Sequence, residues 1–75
     1  MSKLRPISGK EAIEALESMG FFQARQRGSH VALRKHTAEG DVGCVVPLHK
    51  ELAIGTLRGI LRQAQVSTEE FIRNL

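Results

Sequence analysis

Apolar residues near the start of the chain recur at the spacing of a helix face. They are Ala12, Ile13, Ala15, Leu16 and Met19. Ser8 and Glu11 precede most of this run with the spacing of a capping box, in which an N-cap serine and a later glutamate satisfy each other's backbone N–H groups. Gly20 follows the run, and glycine commonly ends a helix in the left-handed conformation. The pattern predicts a helix from about Gly9 to Met19.

The middle of the chain alternates between apolar and polar residues, as half-buried β-strands do. Residues 21–27 alternate imperfectly before Gly28, whereas residues 30–36 alternate regularly. Residues 37–41, which include a glycine, suit a hairpin loop. A β-branched run then stops at Pro47, which cannot donate to a sheet ladder. The members of that run are Val42, Cys44, Val45 and Val46. The pattern predicts three strands joined as an antiparallel meander.

The last part of the chain returns to helical spacing. Gly55 and Thr56 can begin a helix, with Leu52 inside it or leading into it. Its apolar positions are Leu57, Ile60, Leu61 and Ala64. Ser67 and Glu70 form a second capping box ahead of a last short helix. The apolar residues that would dock this helix are Val66, Phe71, Ile72 and Leu75. The predicted order is α-β-β-β-α-α.

This order predicts an α+β fold in which a three-stranded antiparallel sheet has helices on one face. Helices that flank a meander can cover one face economically, so the other face stays in contact with water. The strand over residues 30–36 would turn Val31, Leu33 and Lys35 to the covered face and His30, Ala32 and Arg34 to the open one. We expect residues 1–75 to form a single domain, because so short a chain cannot build two cores.

Composition restricts the class of protein. Hydrophobic residues make up 41% of the chain and charged residues 25%, which is typical of a soluble globular protein. A lone cysteine, Cys44, cannot form an internal disulfide, and no apolar run approaches the length of a membrane span. We therefore expect a cytoplasmic protein that is neither exported nor membrane-bound. With three Phe and no Trp or Tyr, base stacking on aromatic side chains is not expected.

Positive charge is concentrated in two stretches of the chain. The formal net charge is +3, and no acidic residue lies before Glu11 or between Glu17 and Glu39. The longer stretch contains Arg25, Arg27, His30, Arg34, Lys35 and His36. This distribution indicates a nucleic acid or another anionic partner, although the solvated face of a small protein would also carry it.

The candidates for chemistry are His30, His36, His49 and Cys44. Their spacings do not match a zinc site, and the valine-rich surroundings of Cys44 predict a buried thiol, so we expect neither a metal nor another cofactor. His30 follows Gly28 and Ser29 at the start of a strand, where a lone histidine can also be an ordinary half-buried polar residue. RNA cleavage requires few catalytic groups from the protein, because the 2′-hydroxyl of the substrate is the nucleophile. A histidine can move the protons, and arginine or lysine can stabilise the charged phosphorane.

Several short motifs follow one another in a fixed order. They are Gly20-Phe21, Arg27-Gly28-Ser29-His30, Val46-Pro47-Leu48-His49, Gly55-Thr56-Leu57-Arg58-Gly59-Ile60-Leu61 and Ser67-x-x-Glu70-Phe71. Their order and spacing resemble those of the HicA family of mRNA interferases, and the likeness covers Ser8 to Leu75. The resemblance implies a double-stranded-RNA-binding-like fold, ribosome-independent cleavage of mRNA, and neutralisation by a HicB antitoxin. It also implies that His30 is the catalytic residue.

Together these inferences predict a metal-independent endoribonuclease toxin that acts on mRNA and has a HicB-like antitoxin as partner. His30 would transfer protons, and His49 is a candidate for a second proton-transfer group. Gly28 would let the RNA backbone approach or serve only the turn, and Ser29 would bond a phosphate oxygen or the turn itself. The candidates for phosphate contacts are Arg25, Arg27, Arg34, Lys35 and Lys50. Two alternatives are a non-catalytic RNA-binding module of the same fold and a protein-binding domain for an acidic partner.

Overall fold

A computed structural model describes residues 3–75, and within that range the chain forms three helices and one three-stranded antiparallel sheet. The elements are α1 (Gly9–Ser18), β1 (Phe22–Arg27), β2 (His30–Thr37), β3 (Gly40–Pro47), α2 (Ile54–Ala64) and α3 (Thr68–Arg73). The predicted α+β order is confirmed. In the same range, no helix combines the length and the apolar character needed to cross a bilayer.

The first helix begins and ends at its sequence signals. The Ser8 hydroxyl accepts a hydrogen bond from the Glu11 amide at 3.0 Å, and the Glu11 carboxylate accepts one from the Ser8 amide at 3.0 Å. Hydrogen bonds to Ser8 favour the ionised carboxylate and so lower the pKa of Glu11. At the other end Met19 caps the helix and Gly20 takes a φ of +100°, which residues with a Cβ rarely adopt. The capping box and the glycine stop are both confirmed.

The β2–β3 hairpin is tighter than its sequence predicted. β2 is the central strand, and its pairing with β3 continues as far as Thr37 opposite Gly40. Ala38 and Glu39 therefore form the turn, so the predicted loop over residues 37–41 is wrong in its length. The Thr37 hydroxyl donates to the Gly40 carbonyl, and the glycine takes a φ of +121°, which allows the chain to reverse over two residues.

Helices cover one face of the sheet and leave the other to solvent. The covered face contributes Val31, Leu33, Cys44 and Val46 to a hydrophobic cluster. The second helix contributes its predicted apolar positions, Leu57, Ile60, Leu61 and Ala64. This helix begins at Ile54, one residue before the predicted start at Gly55, and Leu52 lies outside it, buried, with its amide donating to the Ile7 carbonyl at 2.6 Å. Burial of each large aliphatic side chain is worth roughly 1.5–3 kcal/mol, so the covered face stabilises the fold. The residues of the open face contribute little to this burial and can serve a function instead.

The last helix follows its predicted signals in part. The Ser67 hydroxyl accepts from the Glu70 amide at 3.1 Å, which is one half of the predicted capping box. Phe71 is fully buried and joins α3 to the hydrophobic cluster. Leu75 is 53% exposed, so its predicted docking is wrong. The helix ends at Arg73, so Leu75 lies beyond it and does not share the helix face that packs against the hydrophobic cluster.

Candidate active site

The open face of the sheet carries arginines beside His30. In an antiparallel sheet, residues opposite one another on neighbouring strands share a face. His30 lies opposite Arg27, and Ala32 lies opposite Arg25. An open depression of about 240 Å³ is lined by Arg25, Arg27, His30, Ala32 and Val45. The structure thus brings together the predicted catalytic histidine and two of the predicted phosphate contacts.

A β-bulge in β1 places both of these arginines on the open face. The pairing with β2 shifts between Gln23 and Arg25, so one extra residue is inserted in the strand. Phe22, before the bulge, also shares the open face, and strict alternation from it would have placed Gln26 there instead of Arg27. This bulge explains why apolar and polar residues alternate imperfectly in the sequence of β1.

The turn between β1 and β2 consists of Gly28 and Ser29. Gly28 has a φ of +59°, which suits the tight turn, and a Cβ built on it would meet no atom within 4 Å. The outer side of the turn is therefore open to an approaching molecule. The Gln26 side-chain amide donates to the Gly28 carbonyl at 3.0 Å. His30 follows directly and is exposed at the start of β2.

The segment after β3 brings His49 to the same end of the sheet as His30. The Leu48 amide donates a hydrogen bond to the Ser29 carbonyl at 2.7 Å, which ties this segment to the turn before His30. His49 and the adjoining Lys50 are exposed, as is His30. The structure therefore groups both candidate proton-transfer residues, together with Lys50, at one end of the sheet.

The start of α1 holds this segment in place, a role that sequence reasoning missed. The Gly9 amide donates to the His49 carbonyl at 2.9 Å. A Cβ at Gly9 would lie 2.1 Å from the Pro47 carbonyl oxygen, so the helix and the segment meet backbone to backbone. Only a residue without a side chain permits this approach. The sequence signal was the glycine at the first position of the helix, where glycine has no advantage as a helix former.

Arg34 shares the open face but lies farther along β2, beside an acidic residue. Its guanidinium is 3.6 Å from the Asp41 carboxylate, and both side chains are largely exposed. His36 Nδ1 lies 2.7 Å from Asp41 Oδ1. The pKa of Asp41 is lowered, chiefly by this hydrogen bond and also by the charges of His36 and Arg34. Ion pairs at exposed positions contribute little energy, so Arg34 can exchange Asp41 for a phosphate.

Lys35 lies on the opposite side of the sheet from His30. Its Nζ is 5.7 Å from the centre of the Phe21 ring, on the covered face. Successive side chains of a strand point to opposite faces, so Lys35 cannot join the arginine of the preceding position. Among the predicted phosphate contacts, Lys35 is the one that the structure separates from the site.

Cys44 has no role in the chemistry of the open face. Its thiol is buried on the covered face, and burial raises its pKa to about 11. It therefore stays protonated near neutral pH, and the thiolate needed for nucleophilic attack does not form. Within residues 3–75, no group of three or more His, Cys, Asp or Glu side chains is placed to hold a metal ion.

Phe22 is the second residue that sequence reasoning missed. Its side chain is 40% exposed on the open face opposite Arg34, whereas Phe21 and Phe71 are buried. The centres of the Phe22 and His36 rings are 5.2 Å apart. The low count of aromatic residues led to the expectation that no base stacks on an aromatic side chain, and it gives no sign of this exposed ring. The adjacency of Phe21 and Phe22 does. Neighbouring residues of an extended chain point to opposite sides, so one phenylalanine of the consecutive pair had to leave the core.

Comparison with known proteins identifies the family of the chain. A family model described as the HicA toxin of bacterial toxin–antitoxin systems matches residues 9–66. The matched region begins with α1 and includes the sheet, the segment that carries His49, and α2. A comparison with curated protein sequences found no match. Because the family model covers well over half of the chain, the protein belongs to the HicA toxin family of bacterial toxin–antitoxin systems.

Proposed function

We propose that this HicA toxin is an endoribonuclease that cleaves mRNA and uses His30 to transfer the proton. The observation that carries the proposal is the depression on the open face, where His30 lies beside Arg25 and Arg27. An imidazole and two cations in one exposed place are what phosphodiester cleavage by the substrate's own 2′-hydroxyl requires. The family supports the toxin role. An mRNA substrate would place the protein in the cytoplasm.

In the proposed reaction, the 2′-oxygen forms a bond to the adjacent phosphorus while the bond from phosphorus to the 5′-oxygen breaks. His30 accepts the proton of the 2′-hydroxyl, and a second group donates a proton to the leaving 5′-oxygen. His49 is the candidate for this second group, since the Leu48–Ser29 hydrogen bond holds its segment against the turn before His30. Arg25 and Arg27 stabilise the charge of the phosphorane. The products are a 2′,3′-cyclic phosphate and a 5′-hydroxyl end.

The remaining contacts would position the RNA. Ser29 and Lys50 lie at the same end of the sheet as His30 and are proposed to bind neighbouring phosphates. The open space around Gly28 would admit the RNA backbone. Arg34 is proposed to bind a phosphate farther along the open face. Incubation of the purified protein with a structured and an unstructured RNA tests the proposal: cleavage supports it, retention without cleavage would indicate an RNA-binding module, and neither would indicate a protein-binding domain.

Cleavage is expected to continue in excess EDTA and to leave a cyclic phosphate end. A two-metal mechanism needs a cluster of carboxylates, and the groups that line the depression are cationic or neutral. The ends can be identified by their resistance to a phosphatase before acid treatment and their sensitivity after it. A requirement for magnesium, or products with a 5′-phosphate, would contradict the mechanism.

Binding to RNA is expected to weaken with salt, in a way that distinguishes the two faces of the sheet. Each of Arg25→Ala, Arg27→Ala and Arg34→Ala should reduce the slope of log affinity against log salt by roughly 0.7, the value for one lost contact to single-stranded nucleic acid. Lys35→Ala is the matched control and should leave the slope unchanged, because its ammonium lies over Phe21 on the covered face. If none of the four variants changes the slope relative to the unsubstituted protein, the RNA binds elsewhere.

The antitoxin is expected to compete with RNA for the open face. Membership of the family implies a partner antitoxin, and we propose a HicB-like protein that covers His30 and the arginines with an acidic surface. A chain this small offers few elements with two alternative packings, which makes inhibition from a remote site the less economical route. Titration of antitoxin into His30→Ala protein holding labelled RNA should release the RNA. A stable ternary complex would contradict masking.

A further inference from the structure

We propose that Phe22 forms a nucleobase subsite on the open face of the sheet, where one base of a single-stranded RNA stacks near the cleaved bond. The inference rests on the proposed function, because it takes RNA to lie along the face that carries His30. The proposed site contacts only the phosphates and the reacting atoms of the RNA, and the subsite adds a contact to a base.

The first support is the exposure and restraint of the Phe22 ring. The side chain is 40% exposed, although its burial would stabilise so small a protein. Its ring lies 5.2 Å from the His36 ring at an interplanar angle of 40°. His36 is itself held by Asp41 at 2.7 Å. The phenylalanine ring therefore has a fixed neighbour and an accessible surface, and every nucleobase offers a planar face that stacks on such a surface.

The second support is the position of the ring relative to the cations. Phe22 lies opposite Arg34, four positions along β2 from His30. At about 3.3 Å per strand residue, this separation is roughly 13 Å. A stacked strand rises about 3.4 Å per nucleotide, so the ring is within about four nucleotides of a phosphate at His30. An RNA strand whose phosphates follow the arginines from Arg27 to Arg34 would therefore pass a base over the ring.

The third support is the low relief of the face between these two points. Ala32 lies in the middle of β2, and Gly43 lies opposite Arg34 on β3. A depression of about 500 Å³ reaches this part of the face at Ala32, Arg34 and Gly43, is also lined by Asp41, and extends around β3 to Cys44 and Gln63. Small side chains here leave room for a splayed base beside the guanidinium. An acidic polypeptide would satisfy the arginines but would leave the aromatic ring without a planar partner, which is why the geometry favours RNA.

The test uses the absence of Trp and Tyr from the sequence, because a Phe22→Trp variant then carries one indole at the proposed subsite. In a His30→Ala background, which prevents cleavage, this variant would be titrated with oligoadenylate and with an abasic oligomer of the same length. Stacking should quench the indole, and oligoadenylate should bind about tenfold more tightly than the abasic oligomer. Leu75→Trp in the same background is the matched control, and its fluorescence should not change.

A second variant distinguishes stacking on the aromatic ring from simple apolar contact, because leucine is apolar but has no ring. Phe22→Leu in the His30→Ala background, checked for folding by circular dichroism, should bind the two oligomers equally, while its affinity for the abasic oligomer stays unchanged. In the cleaving protein, Phe22→Leu should raise KM more than it lowers kcat. A full preference for oligoadenylate in the Phe22→Leu variant would overturn the proposal. So would quenching by polyglutamate but not by oligoadenylate, which would assign the face to an acidic protein.

Cleavage by the unsubstituted protein is measured separately. Base-dependent quenching without any cleavage would refute the proposed enzyme and leave the subsite standing. Cleavage without base-dependent quenching would refute the subsite and leave the enzyme standing.

Discussion

The His30→Ala protein is expected to lose RNA cleavage by at least about a hundredfold and to remain folded. Proton transfer by a positioned side chain typically contributes about 10²–10⁴-fold to a rate. His30 is exposed at the start of β2 and lies outside the hydrophobic cluster, so removal of the imidazole leaves the packing intact. The measurement is the initial rate of cleavage at saturating RNA, with thermal unfolding followed by circular dichroism on the same preparation.

His49→Ala is the variant to compare with His30→Ala, because it removes the exposed histidine that is the candidate for the second proton transfer at the same end of the sheet. We expect a smaller loss than for His30→Ala, since solvent can supply a proton to the leaving oxygen. Equal losses at the two positions would identify an acid and base pair. Full activity in the His30→Ala protein would contradict the assignment of the catalytic residue.

Gly9→Ala is expected to destabilise the protein by about 2 kcal/mol. The added Cβ would lie 2.1 Å from the Pro47 carbonyl oxygen, and neither backbone can move without loss of the hydrogen bond from the Gly9 amide to the His49 carbonyl. Overpacking of this kind costs about 1–3 kcal/mol, and the better helix propensity of alanine offsets little of that cost at the first position of a helix. For a chain of this size the midpoint of thermal unfolding should fall by roughly 10 °C.

Gly55→Ala provides the control for glycine replacement as such. Gly55 lies in α2, and a Cβ there would meet no atom within 4 Å. The variant should gain about 0.4–1 kcal/mol of stability, because alanine reduces the freedom of the unfolded chain and suits a helix. Below its lowered midpoint, the Gly9→Ala protein should also cleave RNA more slowly than the Gly55→Ala protein. Unchanged stability and activity for Gly9→Ala would contradict the close contact between α1 and the segment that carries His49.

The elements of the fold were predictable because their signals are local. The Ser8–Glu11 capping box and the alternation along β2 depend on residues a few positions apart, and both are present as predicted. The errors fall where the outcome depends on the rest of the molecule. The hairpin closes over two residues because the strands on either side continue to pair, and Leu75 is exposed because α3 ends before it reaches the cluster.

The grouping of the candidate site residues was predictable in part, and the geometry that produces it was less so. The structure places His30, Arg25 and Arg27 together, whereas periodicity alone could not locate the bulge that turns both arginines to one face. Lys35 was included for its charge, although alternation along the strand already placed it on the covered side. The contact of Gly9 with the segment after β3 joins parts of the chain that are far apart in sequence, and no local pattern encodes it.

On the proposed function, that contact would also determine when the toxin can first act during its own synthesis. During synthesis His30 emerges early, but the hydrogen bonds that hold the neighbouring segments come from the Leu48 amide and from the pairing of Leu52 with Ile7. A domain generally folds as a unit during translation, and these bonds require the chain as far as Leu52 to have left the ribosome. On the proposed function, we expect a nascent chain that stops before Leu52 to lack these bonds and to leave RNA intact.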